Sequence, residues 1–122
     1  MVENRRRAER QFAIWMGSCL VEGEAPEEWQ DCGVFDFATL GLGMDLHYTS
    51  ASDLVGRQML VCLPVGPSMD VTLTGAVRNA KGGPDGIVRA GVEFIGLSET
   101  ERGVVELLET GTLHSQVVYR PA

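Results

Sequence analysis

"DVTLTGAVRNAKGGPDGIVRAGVEFIGLSETERGVVELLETG", residues 70–111, decides the fold. In 70–79 the pattern alternates, with Val71, Leu73, Gly75 and Val77 on one side, as a half-buried strand requires. "AKGGPDG" (80–86) is a hairpin loop, and "IVRAGVEFIG" (87–96) is the returning strand. The period then changes. Ser98 and Glu101 form a capping box, each able to satisfy the other's free backbone donor. Val104, Val105, Leu107 and Leu108 follow as one apolar stripe, and Gly111 is a stop signal. This is a β-hairpin running into one helix, expected over 98–111.

Working backwards from it, the chain offers more strands. "QFAIWMGSCL" (11–20) is rich in β-formers. "VEGEAPEEWQ" breaks it with Gly, Pro and glutamates. In "DCGVFDFATLGLGMDL" (31–46) two apolar segments flank a turn. "ASDLVG" (51–56) reads as a connector, "RQMLVCLPV" (57–65) as a strand and "GPSM" (66–69) as its punctuation. In the tail, "SQVVY" fits either a short added strand or a fraying end. Some six short strands and one helix predict a mainly β fold, a small six-stranded antiparallel β-barrel with a C-terminal helix packed on it. The helix covers an edge that so small a sheet must close. The divisions are an arm over 1–10, the barrel over 11–97, and helix and tail over 98–122, together one domain.

Composition bounds the function. The 122 residues carry a net charge of −7. That disfavours non-specific nucleic-acid binding, so an anion must be recognised locally. No apolar run approaches the roughly 18–20 residues that cross a bilayer, so no membrane insertion is expected. "FAIWMGSCLV" reads as a strand, without a small-x-small cleavage site after it. Cys19, Cys32 and Cys62 form no CxxC pair, which fits buried, reduced thiols in a cytoplasmic protein and no metal site. His47 and His114 have no partners at ligand spacing. Met44, Met59 and Met69 suit gap-filling in a core. Glu101, Glu106 and Glu109 read as a solvated helix face. No nucleophile–base motif is present, so an enzyme is not expected.

Against that acidic background stands "NRRRAER", residues 4–10. Arg6 and Arg10 share a face on a helix and equally on an extended arm. Guanidinium groups make forked hydrogen bonds to phosphate and to the O6 and N7 edge of guanine. Read alone, the run also fits a solvated basic tail. The second stretch is "DFATLG", 36–41. An ionised Asp36 only accepts hydrogen bonds and suits a pair of N–H donors such as guanine N1 and N2. Gly41 allows a turn or a close backbone approach. An ordinary Asp-initiated β-turn would use the same residues.

Together, Arg6-Arg7-Ala8-Glu9-Arg10 and Asp36-Phe37-Ala38-Thr39-Leu40-Gly41 resemble the RxxxR and [D/N]xSxxG motifs of the PilZ domain family. The likeness continues in "GAVRN", "AGVEFIGLS" and the "LLE" of the last helix, and covers roughly residues 4–109. It implies a non-enzymatic receptor for the bacterial second messenger cyclic di-GMP, with no other cofactor. It implies that Arg6 and Arg10 grip phosphate and guanine, that Asp36 holds a guanine edge and that Gly41 shapes the turn. Arg5, preceding the motif, is similar to the form that accepts a stacked ligand dimer. The family's serine is Ala38 here, which removes one hydroxyl contact. A lost neutral hydrogen bond is worth roughly 0.5–1.5 kcal/mol, about two- to tenfold in affinity. The expected output is ordering of the arm, passed to an effector protein. The alternative is a PilZ-like docking module that has lost its nucleotide. A nucleic-acid-binding barrel fits less well, since no aromatic residues interleave with the arginines.

Overall fold

A computed structural model describes residues 13–24, 27–109 and 117–119. The arm arginines Arg5, Arg6 and Arg10, the stop signal Gly111 and His114 lie outside the described residues. The strands are β1 (Ala13–Val21), β2 (Gln30–Ala38), β3 (Gly41–His47), β4 (Gln58–Gly66), β5 (Met69–Gly82), β6 (Ile87–Phe94) and β7 (Val117–Tyr119). The helices are α1 (Ala51–Leu54) and α2 (Glu99–Glu109). Six strands pair antiparallel in the cyclic order β1-β2-β3-β6-β5-β4, and β4 returns to β1. The expected six-stranded closed barrel with a C-terminal helix is the fold observed.

Alternation fills the barrel. Leu42, Met44 and Leu46 of β3, Met59, Val61 and Leu63 of β4, and Val88, Ala90 and Val92 of β6 all point inward and are buried. Cys19, Cys32, Val34 and Val77 complete that interior. One end is plugged by Leu54 of α1, which is fully buried. Thus 51–56, expected to be a plain connector, contains a short helix whose Leu54 becomes core, with Ala51 packed against it. At the other end Trp15, Phe37 and Phe94 stack in sequence, with ring centroids 4.9 and 5.6 Å apart.

The decisive hairpin behaves as expected, with a tighter loop. β5 reaches Gly82, and the turn is completed by Asp85 and Gly86, both at positive φ (63° and 73°). Asp-Gly supplies the two left-handed residues that a tight turn needs. The capping box also forms: the Ser98 N–H donates to Glu101 Oε1 (2.8 Å) and the Glu101 N–H to Ser98 Oγ (3.1 Å). Of the apolar stripe, Val105 and Leu108 are buried, but Leu107 is 40% exposed, because the contact face of α2 is narrower than the stripe. Met69 is 57% exposed at the β4–β5 turn, unlike the core residues Met44 and Met59. Cys62 is only half-buried, because it faces outward on β4 while its neighbours Val61 and Leu63 face in. Of "SQVVY", Val117–Tyr119 form β7, which pairs with β1 through Ala13 to Trp15.

Candidate functional site

The site lies on the outer wall of the barrel, across β2, β3, β6 and β5. Asp36 pairs with Gly43, Gly43 with Gly91, and Gly91 with Asn79. These four residues make one row across four strands, with two glycines at its centre. The two glycines add no side chain of their own, so the row is a trough, into which neighbouring side chains lie from either end. It belongs to an open groove of about 590 Å³ that also takes in Ala38, Gly41, Arg78, Arg89 and Glu93.

A β-bulge stands at each end of the row. On β2 the register slips between Val34 and Asp36, so Phe35 and Asp36 together oppose Gly43. Both side chains come to stand over it: a Cβ at Gly43 would lie 2.9 Å from the tip of the Phe35 ring and 3.4 Å from Asp36 Cβ. On β5 the slip falls between Val77 and Asn79, and Arg78 is the extra residue. A Cβ at Gly91 would lie 2.8 Å from the Asn79 carboxamide. Bulges turn side chains out of simple alternation and are common beside binding sites. Here they place an acid and an aromatic ring at one end, and an amide and an arginine at the other.

The flanking charges are paired. Arg89 forks onto Asp45 (2.9 and 3.1 Å) and lies 4.1 Å over the Phe35 ring. Its bond to Asp45 raises the guanidinium pKa above an already high value, so the charge is permanent. Arg78 holds Glu93 at 2.7 Å. Both pairs are solvent-exposed, and such pairs are worth about 0–1 kcal/mol. Either arginine can therefore exchange its carboxylate for a phosphate oxygen at little cost.

Asp36, Ala38 and Gly41 thus line one groove. Ala38 is exposed and lies opposite Gly41, so its missing hydroxyl leaves open space. Of the two uses expected of Gly41, a turn or a close backbone approach, the structure shows the second. It is the first residue of β3 and is absent from the positive-φ glycines. Its role is close approach to β6, since a Cβ there would lie 2.2 Å from the carbonyl oxygen of Val92. Glu109 is exposed, as a solvated face requires, and from there accepts a hydrogen bond from the Thr39 N–H in the turn of the same motif.

Phe35 and Arg89 carry no signal of their own in the sequence, and Arg78 and Asn79 appear there only as the end of "GAVRN", with no site role. A bulge leaves no local signature, so strict alternation would put Phe35 and Asp36 on opposite faces. The one available signal was the pair Gly43 and Gly91 on adjacent outward positions. Among the described residues no cluster of His, Cys, Asp or Glu could hold a metal ion, and no helix is long and apolar enough to cross a membrane.

No protein-family model matches the sequence, and no curated protein matches it. Among solved structures, the chain is similar to the PilZ domain with c-di-GMP of YcgR from Escherichia coli. The TM-score is 0.58 at 11% identity, over 80% of this chain and 88% of that one. The chain has a PilZ-like fold.

Proposed function

We propose that the chain is a non-enzymatic, cytoplasmic receptor for cyclic di-GMP, in which an arginine arm (residues 1–10) closes a nucleotide onto the wall of the barrel. The observation that carries this reading is the row Asp36–Gly43–Gly91–Asn79. Two adjacent glycines keep this strip of wall low, so that the Phe35 ring and the Asn79 carboxamide, both flat, lie over it and can stack against a purine. Asp36 at the end of the floor is a two-oxygen acceptor for guanine N1 and N2. Asn79 at the far end offers both donors and an acceptor. Arg78 and Arg89 border the floor and can meet phosphate.

The arm is tethered close by. β1 starts at Ala13 and runs beside β2, with Trp15 opposite Val34. Arg10 is three residues before Ala13, about 10 Å of extended chain. Arg6 and Arg10 would supply the charge-assisted contacts, and Arg5 would allow a second, stacked nucleotide. Ordering of the arm on the ligand changes the surface offered to an effector protein.

Calorimetric titration with cyclic di-GMP tests the reading, with Arg6→Ala and Asp36→Ala alongside. Binding that weakens with salt and is lost in both variants is the expected result. No heat with the wild-type chain overturns it. A second reading, a docking module without a nucleotide, is favoured by Ala38. It predicts no binding in the wild type and recovery in Ala38→Ser.

A further inference from the structure

The β2–β3 turn that carries the candidate site is held in place from outside. Only Thr39 and Leu40 separate the two strands. Neither has a positive φ, since Asp85 alone among the described non-glycine residues does. Two-residue hairpins favour left-handed turn residues, and right-handed ones splay the strands apart. Nor is the turn held by packing, because Leu40 is 78% exposed. Beyond its own strand ladder it is held by two hydrogen bonds from its backbone to other elements, one to main chain and one to a side chain. The Phe94 N–H at the end of β6 donates to the Leu40 carbonyl (2.9 Å). The Thr39 N–H donates to the Glu109 carboxylate of α2.

The second bond runs against local preference. The last turn of α2 has no basic residue, and Glu109 puts a negative charge at the negative end of the helix dipole. Such a local conflict is what a residue kept for a long-range task produces. Glu109 lies 70 residues from Thr39 along the chain. Ala38 directly precedes the Thr39 amide, and Asp36 is three residues before it.

Resting on the receptor reading above, we infer that Glu109 is a positioning residue for the nucleotide site. Through the Thr39 amide, α2 holds the 36–41 hairpin in the shape that presents Asp36 to the trough. The coupling is reciprocal: a nucleotide that orders the hairpin also strengthens the seating of the C-terminal turn of α2. The helix thereby becomes a route by which occupancy of the trough reaches another face of the protein.

The test uses the full chain, with Glu109→Ala and Glu109→Gln. Alanine favours helix more than glutamate does, so Glu109→Ala does not weaken α2 itself. Glutamine keeps an oxygen that can accept the Thr39 bond. Two readouts are taken: the Thr39 amide signal and its exchange rate by NMR, and cyclic di-GMP affinity by calorimetry. Glu109→Ala is expected to speed Thr39 exchange and weaken binding about three- to tenfold. Glu109→Gln is expected to restore both, and nucleotide is expected to slow exchange at Leu107 and Leu108 in the wild type. Unchanged affinity in Glu109→Ala, with the wild type binding, overturns this role alone. An undisturbed Thr39 amide in that variant overturns it too. Failure of the wild type to bind overturns the receptor reading, and this role with it.

Discussion

Gly41 faces the backbone carbonyl oxygen of Val92 so closely that a Cβ on Gly41 would lie 2.2 Å from it. The obstacle is main chain at the first pairs of the β3–β6 ladder, with Gly41 opposite Glu93 and Leu42 opposite Val92. It cannot swing aside as a side chain can. The motif's glycine is therefore explained by the pressing of β3 onto β6.

Substitution at the two glycines of this strand should separate stability from binding. Gly41→Ala must push the strands apart and is expected to cost about 1–3 kcal/mol, in the range of overpacked interiors. Gly43→Ala meets the tip of the Phe35 ring, which can rotate. Its cost in stability should be smaller, but the methyl group displaces the ring that lines the trough. Denaturant midpoints and cyclic di-GMP titrations of both variants check this. Gly41→Ala should show the larger drop in midpoint. Gly43→Ala should lose affinity while its midpoint stays closer to that of the wild type.

The barrel was legible because its determinants are local and periodic. Leu42, Met44 and Leu46 alternate, Asp85-Gly86 turns the hairpin, and Ser98 with Glu101 caps the helix. The lower half of the site was legible as a motif, Asp36 to Gly41. What escaped depends on register between distant strands. That Phe35 shares the outer face with Asp36 follows from a bulge opposite Gly43, and that Arg89 stacks on Phe35 follows from pairing of β3 with β6. Glu109 escaped for the same reason. Its helical position says solvent, and only the tertiary fold sets it beside Thr39.

The capping box offers a test of helix energetics alone. Ser98→Ala removes the acceptor for the Glu101 N–H. Loss of such a cap costs about 1 kcal/mol. Thermal unfolding should show a modest fall in midpoint, and Ser98→Asp should largely restore it. A fall of the same size in Ser98→Asp would mean that packing at residue 98, not the cap, matters.

The three cysteines should react in a set order. Cys19 and Cys32 lie in the barrel interior, and Cys62 is half-buried on the outer face of β4. The hydrogen bond with Cys19, and then burial, push the Cys32 thiol pKa up, so its reactive thiolate is scarce. Labelling of the native protein with a bulky alkylating reagent should modify Cys62 first. Cys62→Ser should leave only slow labelling, at the rate of barrel opening. Fast labelling of Cys32 would contradict the closed barrel.

Tyr48 should give the protein an alkaline signature. Its hydroxyl donates to Glu24 Oε2 at 2.7 Å, and burial together with that bond raises its pKa. A folded-state pKa above the unfolded one means the contribution is complete below the ordinary tyrosine value. It is lost as pH rises through the raised one. Ultraviolet titration should show Tyr48 ionising later than a free phenol. Stability measured against pH should fall in that window for the wild type, and that part of the fall should be missing in Tyr48→Phe.

Ala38 is where the receptor reading can be strengthened by design. It is exposed on the wall beside Asp36, opposite Gly41, with nothing of its own to donate. A serine hydroxyl fits there without displacing a packed group, so Ala38→Ser should leave the unfolding midpoint within about 0.5 kcal/mol of the wild type. If the trough takes guanine, the added hydrogen bond is worth roughly 0.5–1.5 kcal/mol, a gain of about two- to tenfold in affinity for cyclic di-GMP. The gain should vanish in the double variant with Asp36→Ala, because a hydroxyl cannot replace the charge-assisted pair. A gain that survives loss of Asp36 would place the ligand elsewhere on the barrel.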